Sequence, residues 1–346
     1  MSLLKKTQKG LADIIPGLGR FTFDAEVGKV FVTSGTGVIG YRVAASLLEA
    51  GHKDVRVGVW KGDRGKIPGG GDKPFVDGLV AALEEKGAEV VDFDWTDASC
   101  YDTVLQGVKT VFCSLPNLDD WASVFPAFLL KCKDMKVEHF IKISFLHNKA
   151  GMVYREKVPF VQFHCTCDDL LEQAPLNSRI SYTILCASHL MTTPLLHQGD
   201  LLRKEHKFVT ASYGMGVNYV SPNDVADAAV VVLLNRKEHR NKVYNLTGPG
   251  PITDAEVCKL LSKAYQTEIE HVSLGYHDYV KSVKARGLPT WLVKDSATFE
   301  KIKASGIDEL KESYSKDLEK LIGRKPETFE GYFANTEAMR PGIKFP

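Results

Sequence analysis

Apolar residues in this chain gather in short continuous runs, separated by longer stretches in which apolar and polar positions alternate at helical spacing. Val30-Phe31-Val32 reads as a buried strand, and the stretch through Ala44 to Glu49 as a helix that Gly51 ends. Val55 to Trp60 is a second strand. Helix Pro74 to Lys86, strand Ala88 to Phe93, helix Ala98 to Gly107 and strand Thr110 to Cys113 follow, then helix Trp121 to Asp134 and strand His139 to Ser144. This strand–helix alternation between residues 30 and 144 predicts an α/β fold with a doubly wound parallel sheet.

The second half is less regular. Pro159 to Gln173 has helical spacing and Tyr182 to Leu185 reads as a strand. Ser221-Pro222-Asn223-Asp224 combines a cap, a first-turn proline and an acid at the third position, and leads into helix Val225 to Leu234. Tyr244 to Leu246 reads as a strand, Gly248-Pro249-Gly250-Pro251 as a break, and Thr253-x-x-Glu256 as a capping box. The charged tail predicts helices at Ser296 to Ala304 and Asp308 to Leu321. No internal repeat occurs.

Chemistry concentrates where the first strand meets the first helix. Gly35-x-Gly37-x-x-Gly40 has the spacing that lets a strand turn tightly, a pyrophosphate approach the backbone, and a helix lie close on the strand. Thr33, Thr36, Val38 and Ile39 complete the turn and the helix start, whose N–H groups would face the phosphates. Ligands on such sheets sit beyond the carboxyl ends of strands. That rim carries the glycine turn, Lys61, Asp94 with Trp95, Ser114-Leu115-Pro116, and Ser144. Lys61 and Arg64, with Lys66 behind them, stand where a base accommodates a ribose 2′-phosphate, while Asp63 is an acid of the kind that pairs with a 2′-OH. The balance favours NADP(H) over NAD(H).

Composition narrows the classes. Among 346 residues the net charge is +1, so no global field favours nucleic acid or a membrane surface. No apolar stretch reaches the roughly 18 residues of a membrane span. Seven cysteines, scattered and odd in number, do not form a disulfide framework and suit a reducing, cytoplasmic interior. The start carries Lys5, Lys6 and Lys9 without a long apolar run, which argues against a secretory signal. Residues 1–28 read as an arm, docked or flexible, or as the remnant of an organelle transit peptide.

The chain resembles the NmrA-like branch of the atypical short-chain dehydrogenases/reductases from about Lys29 to Phe333. TSGTGVIG (residues 33–40) is similar to the family's TGATGxxG, with Ser34 in place of the first glycine. FDWTD (93–97) is similar to GDLTD, whose acid lies near the adenine. SYTIL (181–185), YVSPNDVADAAVVVL (219–233), YNLTGPGPIT (244–253) and GRKPETFEGY (323–332) resemble later blocks. The resemblance implies a Rossmann core binding NADP(H) over residues 29–185. Residues 186–346 would contribute further strands and helices and close a substrate cleft.

Short-chain reductases generally use Tyr-x-x-x-Lys, the tyrosine protonating a carbonyl and the lysine holding the ribose. Fitting the family block to CDDLLEQ puts Phe160 at the tyrosine and His164 at the lysine. His164 is then a ribose anchor, a substitute acid titrating near 6.5, or an ordinary polar helix residue. Tyr154 and Lys157 are three apart, and Pro159 interrupts a helix there. Ser144 stands where the family places a residue near the nicotinamide, and is also read as a loop serine. His164-Cys165-x-Cys167-Asp168 has metal-ligand types, but adjacent and i,i+2 side chains on a helix diverge, so no metal site is expected. Two functions remain: an NADPH-dependent reductase of a small enone, quinone or aldehyde, or a non-catalytic NADP(H)-binding sensor or assembly subunit with a protein partner.

Overall fold

The structure, a computed structural model, describes residues 27–60, 73–116, 121–177 and 179–334. The expected N-terminal arm lies outside them save for its last two residues. Seven strands form one sheet, all parallel: β1 (Lys29–Val32), β2 (Val55–Trp60), β3 (Glu89–Phe93), β4 (Val108–Cys113), β5 (His139–Phe145), β6 (Ser181–Ala187) and β10 (Lys242–Leu246). Their order is β10-β6-β5-β4-β1-β2-β3, doubly wound as expected. The order reverses between β1 and β4, so a crevice opens there at the carboxyl rim. Three further strands make a small mixed sheet, β7 (His189–Leu190), β9 (Gly216–Val220) and β11 (Pro251–Thr253). A parallel pair joins β8 (Lys207–Thr210) to β12 (Glu270–Ser273).

β5 is an interior strand of the sheet, between β6 and β4, and all seven of its residues are buried. His139 enters it because both ring nitrogens find hydroxyls on β6, Ser181 Oγ at 2.7 Å and Thr183 Oγ1 at 3.0 Å. One face of the sheet is covered by α1 (Val38–Glu49) and by α8 (Pro222–Leu234), every residue of which is buried. Valine and leucine burial of this kind stabilises by about 1.5–3 kcal/mol per side chain. The other face is aromatic, with Phe31, Phe93, Trp95, Tyr101, Trp121, Phe125, Phe128 and Phe140 in one cluster.

The polar residues at the start of α8 are held by the tail. Ser221 caps the helix, accepting from Asn223 N, but Asp224 does not complete a reciprocal box. Asp224 instead pairs with Arg324 at 2.6 Å and accepts from Glu327 N at 2.6 Å. Glu327 in turn accepts from Ser221 Oγ at 2.6 Å. Asp227, one turn on, joins Arg324 at 2.7 Å and Arg42 of α1 at 3.3 Å. The Thr253–Glu256 capping box forms in full.

One expectation is corrected. The segment Asp308 to Leu321 is not one helix: two 3-10 turns, Ile307–Glu309 and Lys311–Ser313, precede a helix only at Asp317–Ile322. Leu310 and Tyr314 are extended, and Asp308 is drawn into the interior by Tyr154 Oη at 2.8 Å. A helix absent from the sequence reading runs through Tyr154, α5 (Lys149–Lys157), capped by Asn148; it stops before Pro159, which interrupts it and begins α6 (Pro159–Asn177).

Replacing Arg324 by alanine leaves two buried carboxylates without their main cation. Losing one partner of a buried pair costs about 3–5 kcal/mol, and Arg324's partial exposure places the loss near the lower figure. Urea unfolding of Arg324→Ala should show that loss, and an unchanged midpoint would refute the clamp. A second test uses His139, which burial pushes down to about 3. The unfolded residue titrates near 6.5, so the folded state binds fewer protons between those values. Stability therefore falls as pH drops below about 6.5, and His139→Asn should flatten that slope by about one proton.

Candidate functional site

The glycine turn is built by steric necessity. A Cβ on Gly35 would fall 1.8 Å from Val57 Cγ1, and one on Gly40 would fall 2.0 Å from Ser34 O. Gly35 thus seats the turn against β2, and Gly40 lets α1 approach it. Gly37 differs: a Cβ there meets only Ser34, its oxygen at 3.2 Å. Gly37 is the N-cap of α1 and offers no side-chain cap, so the helix's first N–H groups, at Val38 and Ile39 onward, receive none. Orphan donors behind a glycine turn at the sheet's crevice fit a pyrophosphate.

The turn is tied to the next strand. Ser34 Oγ donates to Ser114 O at 2.7 Å, and Ser114 N donates to Thr33 Oγ1 at 3.3 Å. Leu115 is buried, and Pro116 O accepts from Trp121 Nε1 at 3.0 Å. Asp94 accepts from Thr96 N and Oγ1, both at 2.8 Å. The Trp95 ring faces the core, edge-on to Trp121 and Phe128, and its carbonyl accepts from Tyr101 Oη at 2.6 Å. Lys61 and Arg64 lie outside the described residues.

Farther along the rim, the end of β5 and the inward face of α6 form a buried polar knot. Lys142, fully buried, pairs with Asp168 Oδ1 at 2.7 Å. Burial works against the lysine's charge, but the carboxylate outweighs it and holds the ammonium above its ordinary range. Ser144 donates to Asp168 Oδ2. His147, on the turn after β5, reaches the same oxygen at 3.0 Å; burial works against a charge on its ring, but Asp168 together with the neighbouring Cys165 and Cys186 outweighs it and favours a proton there. Sequence reasoning missed Lys142 and His147. Lys142 sits in an apolar run, and His147's partners come from another helix.

His164 occupies the knot's far side. Its Nδ1 is 3.4 Å from Lys142 Nζ, and its ring packs edge-on against Phe160, centroids 4.5 Å apart. Burial, with Lys142 beside it, pushes His164 down to about 3. Those surroundings favour the uncharged ring and do not suit a substitute acid titrating near 6.5. Ser144's hydroxyl proton is committed to Asp168. Tyr154 is wholly buried, donating to Asp308 and accepting from His189 at 3.0 Å, within a cluster with Phe145 and Phe299.

A family model described as the NmrA-like family matches residues 26–333. Prestalk A differentiation protein A of Dictyostelium discoideum is 25% identical over 319 residues, 89% of this chain and 93% of its own length. The NADPH complex of an NADPH-dependent quinone oxidoreductase from Escherichia coli superposes with a TM-score of 0.70, at 22% identity over 89% of this chain and 99% of that one. A triphenylmethane reductase from Citrobacter sp., complexed with NADP(H), gives 0.68 at 19% identity, over 90% and 100%. No helix among the described residues is long and apolar enough to cross a membrane.

The three glycines should separate on substitution. Gly35→Ala and Gly40→Ala would force backbone or core to move and should lower the unfolding midpoint. Gly37→Ala needs Ser34 to give by only a few tenths of an ångström, so it should fold normally and lose nucleotide affinity by roughly tenfold or more, the worth of one oriented phosphate contact. Calorimetry that finds Gly37→Ala binding like wild type would show that the turn is not the phosphate site.

Proposed function

Because the chain belongs to the NmrA-like family, we propose that it binds NADP(H) across the crevice between β1 and β4 and reduces a small, electron-poor conjugated acceptor of quinone type. When bound, the nicotinamide supplies a hydride. Gly35, Gly37 and Gly40 shape the turn on which the pyrophosphate lies, and the uncapped start of α1 faces it. Thr33, Ser34 and Ser114 hold the turn against the β4 loop. Lys61 and Arg64 select the 2′-phosphate. Ser144 and His164, at the end of β5 and on α6, border the nicotinamide end without giving up a proton.

One observation carries the choice of acceptor: no described side chain of the β5 rim is free to act as a carbonyl acid, since the proton on the His147 ring is held by Asp168. Phe160 has no hydroxyl, His164 is neutral and enclosed, and Tyr154 is sealed among aromatic rings. Reduction of an isolated ketone leaves a strongly basic alkoxide and needs such an acid. A quinone leaves a delocalised phenolate that solvent protonates, with no protein acid required. Relatives named for quinone and triphenylmethane reduction agree with an acceptor that spreads charge. A second reading, an NADP(H)-binding sensor, follows from the same missing acid and differs only in having no substrate.

NADPH should bind roughly ten- to a hundredfold more tightly than NADH, with Lys61→Ala and Arg64→Ala each removing part of that preference. Stopped-flow oxidation of NADPH by a naphthoquinone should be saturable and nearly independent of pH from about 6 to 8.5, because no described side chain at the end of β5 titrates near 6.5. A histidine-like limb in that profile would return catalysis to an unassigned acid. Tight NADPH binding with no oxidation above the buffer rate, on quinones and enones alike, would leave the sensor reading.

A further inference from the structure

Helical spacing alone argues against a metal site in His164-Cys165-x-Cys167-Asp168, since adjacent side chains diverge. Positions 165 and 168 escape that objection. They stand i and i+3 on α6, on one face, and both are buried. His147 approaches the same point from the turn after β5. A ring nitrogen of His147, Sγ of Cys165 and a carboxylate oxygen of Asp168 lie within 4.8 Å of one another. We propose that these three side chains bind one zinc ion, its fourth position open to solvent beside the partly exposed His147 ring.

The donor set suits zinc. Imidazole, thiolate and carboxylate together select a borderline-soft divalent ion over magnesium or calcium. A tetrahedral shell with bonds of about 2.0–2.3 Å spaces its ligand atoms roughly 3.3–3.8 Å apart. The three donors reach that spacing by small side-chain rotations, and the His147–Asp168 contact at 3.0 Å opens slightly. Asp168 is already oriented as a ligand, because Lys142 holds Oδ1 at 2.7 Å and Ser144 donates to Oδ2 along one of its two lone pairs. The zinc takes the other lone pair, replacing the proton of His147. Loading also releases the Cys165 thiol proton, so the bound shell holds one thiolate, one carboxylate and a neutral imidazole. The His147 side chain keeps 22% of its surface exposed while Asp168 has none, which makes the histidine side the entry path.

The test uses the full-length, tag-free chain. Cobalt(II) added to the apoprotein should give a thiolate-to-cobalt charge-transfer band, and zinc should displace it at one ion per chain by mass spectrometry. His147→Ala and Cys165→Ala should each weaken zinc binding by about a hundredfold or more, and Ser144→Ala by roughly tenfold through Asp168's orientation. Cys132→Ala, which removes a buried thiol on α4 (Trp121–Asp134), should bind zinc as wild type does. Should Cys165→Ala fail to fold, Cys165→Ser carries the same expectation with a weaker oxygen donor. A cobalt complex without the charge-transfer band, or unchanged zinc affinity in the Cys165 variants, would overturn the proposal.

Discussion

Two aspartates on one buried helix hold the molecule together. Asp224 and Asp227 sit at the start of α8, where most neighbouring side chains are apolar or small, and neither would be tolerated there without a cation. Arg324 comes from the tail to meet both, and Arg42 comes from the glycine-turn helix to meet the second. Three segments far apart in sequence are thereby fixed to one another. The helix that presents the crevice N–H groups is braced by the charge of residues far along the chain. The sequence blocks at 219–233 and 323–332, which carry much of the family likeness, are the two halves of this one interface.

The polar knot at the end of β5 is organised by the same physics at smaller scale. A lysine on an interior strand of a parallel sheet persists because Asp168 neutralises it, and Asp168 persists because Lys142, Ser144 and His147 satisfy its oxygens. Such a knot is worth little as net stability, since desolvation cancels most of the attraction, but it dictates where each polar group points. His164 shows the cost of sharing that space, for a cation beside it and no solvent around it keep it neutral.

How much of the molecule is legible in the chain follows from the range over which each force acts. The glycine turn, the strands and the Thr253 capping box are local devices: turn geometry, period and cap chemistry all lie within a few residues. The tail misleads because its helical periodicity over 308–321 loses to long-range bonds, Asp308 being claimed by Tyr154 and the intervening residues pulled into extended form. Helix 149–157 escapes pattern reading because it is polar and ends against a proline, so its existence rests on the Asn148 cap and on Tyr154 packing inward. Lys142 and His147 are signalled only by a charged residue inside an otherwise apolar strand and a histidine just past its end. Their partners on α6 are well removed in sequence, and no spacing rule connects them.

The edge strand β10 has a consequence for how the chain is made. Residues 242–246 complete the main sheet by pairing with β6, which leaves the ribosome some sixty residues earlier. Until then β6 is an open parallel edge, and the apolar face awaiting α8 is uncovered. Both are surfaces on which a nascent chain sticks to its neighbours. The first 185 residues contain the dinucleotide turn but not the means to shield it. The main sheet therefore gains its last strand and part of its cover late in synthesis, and stalled or clipped chains would be prey for chaperones and proteases.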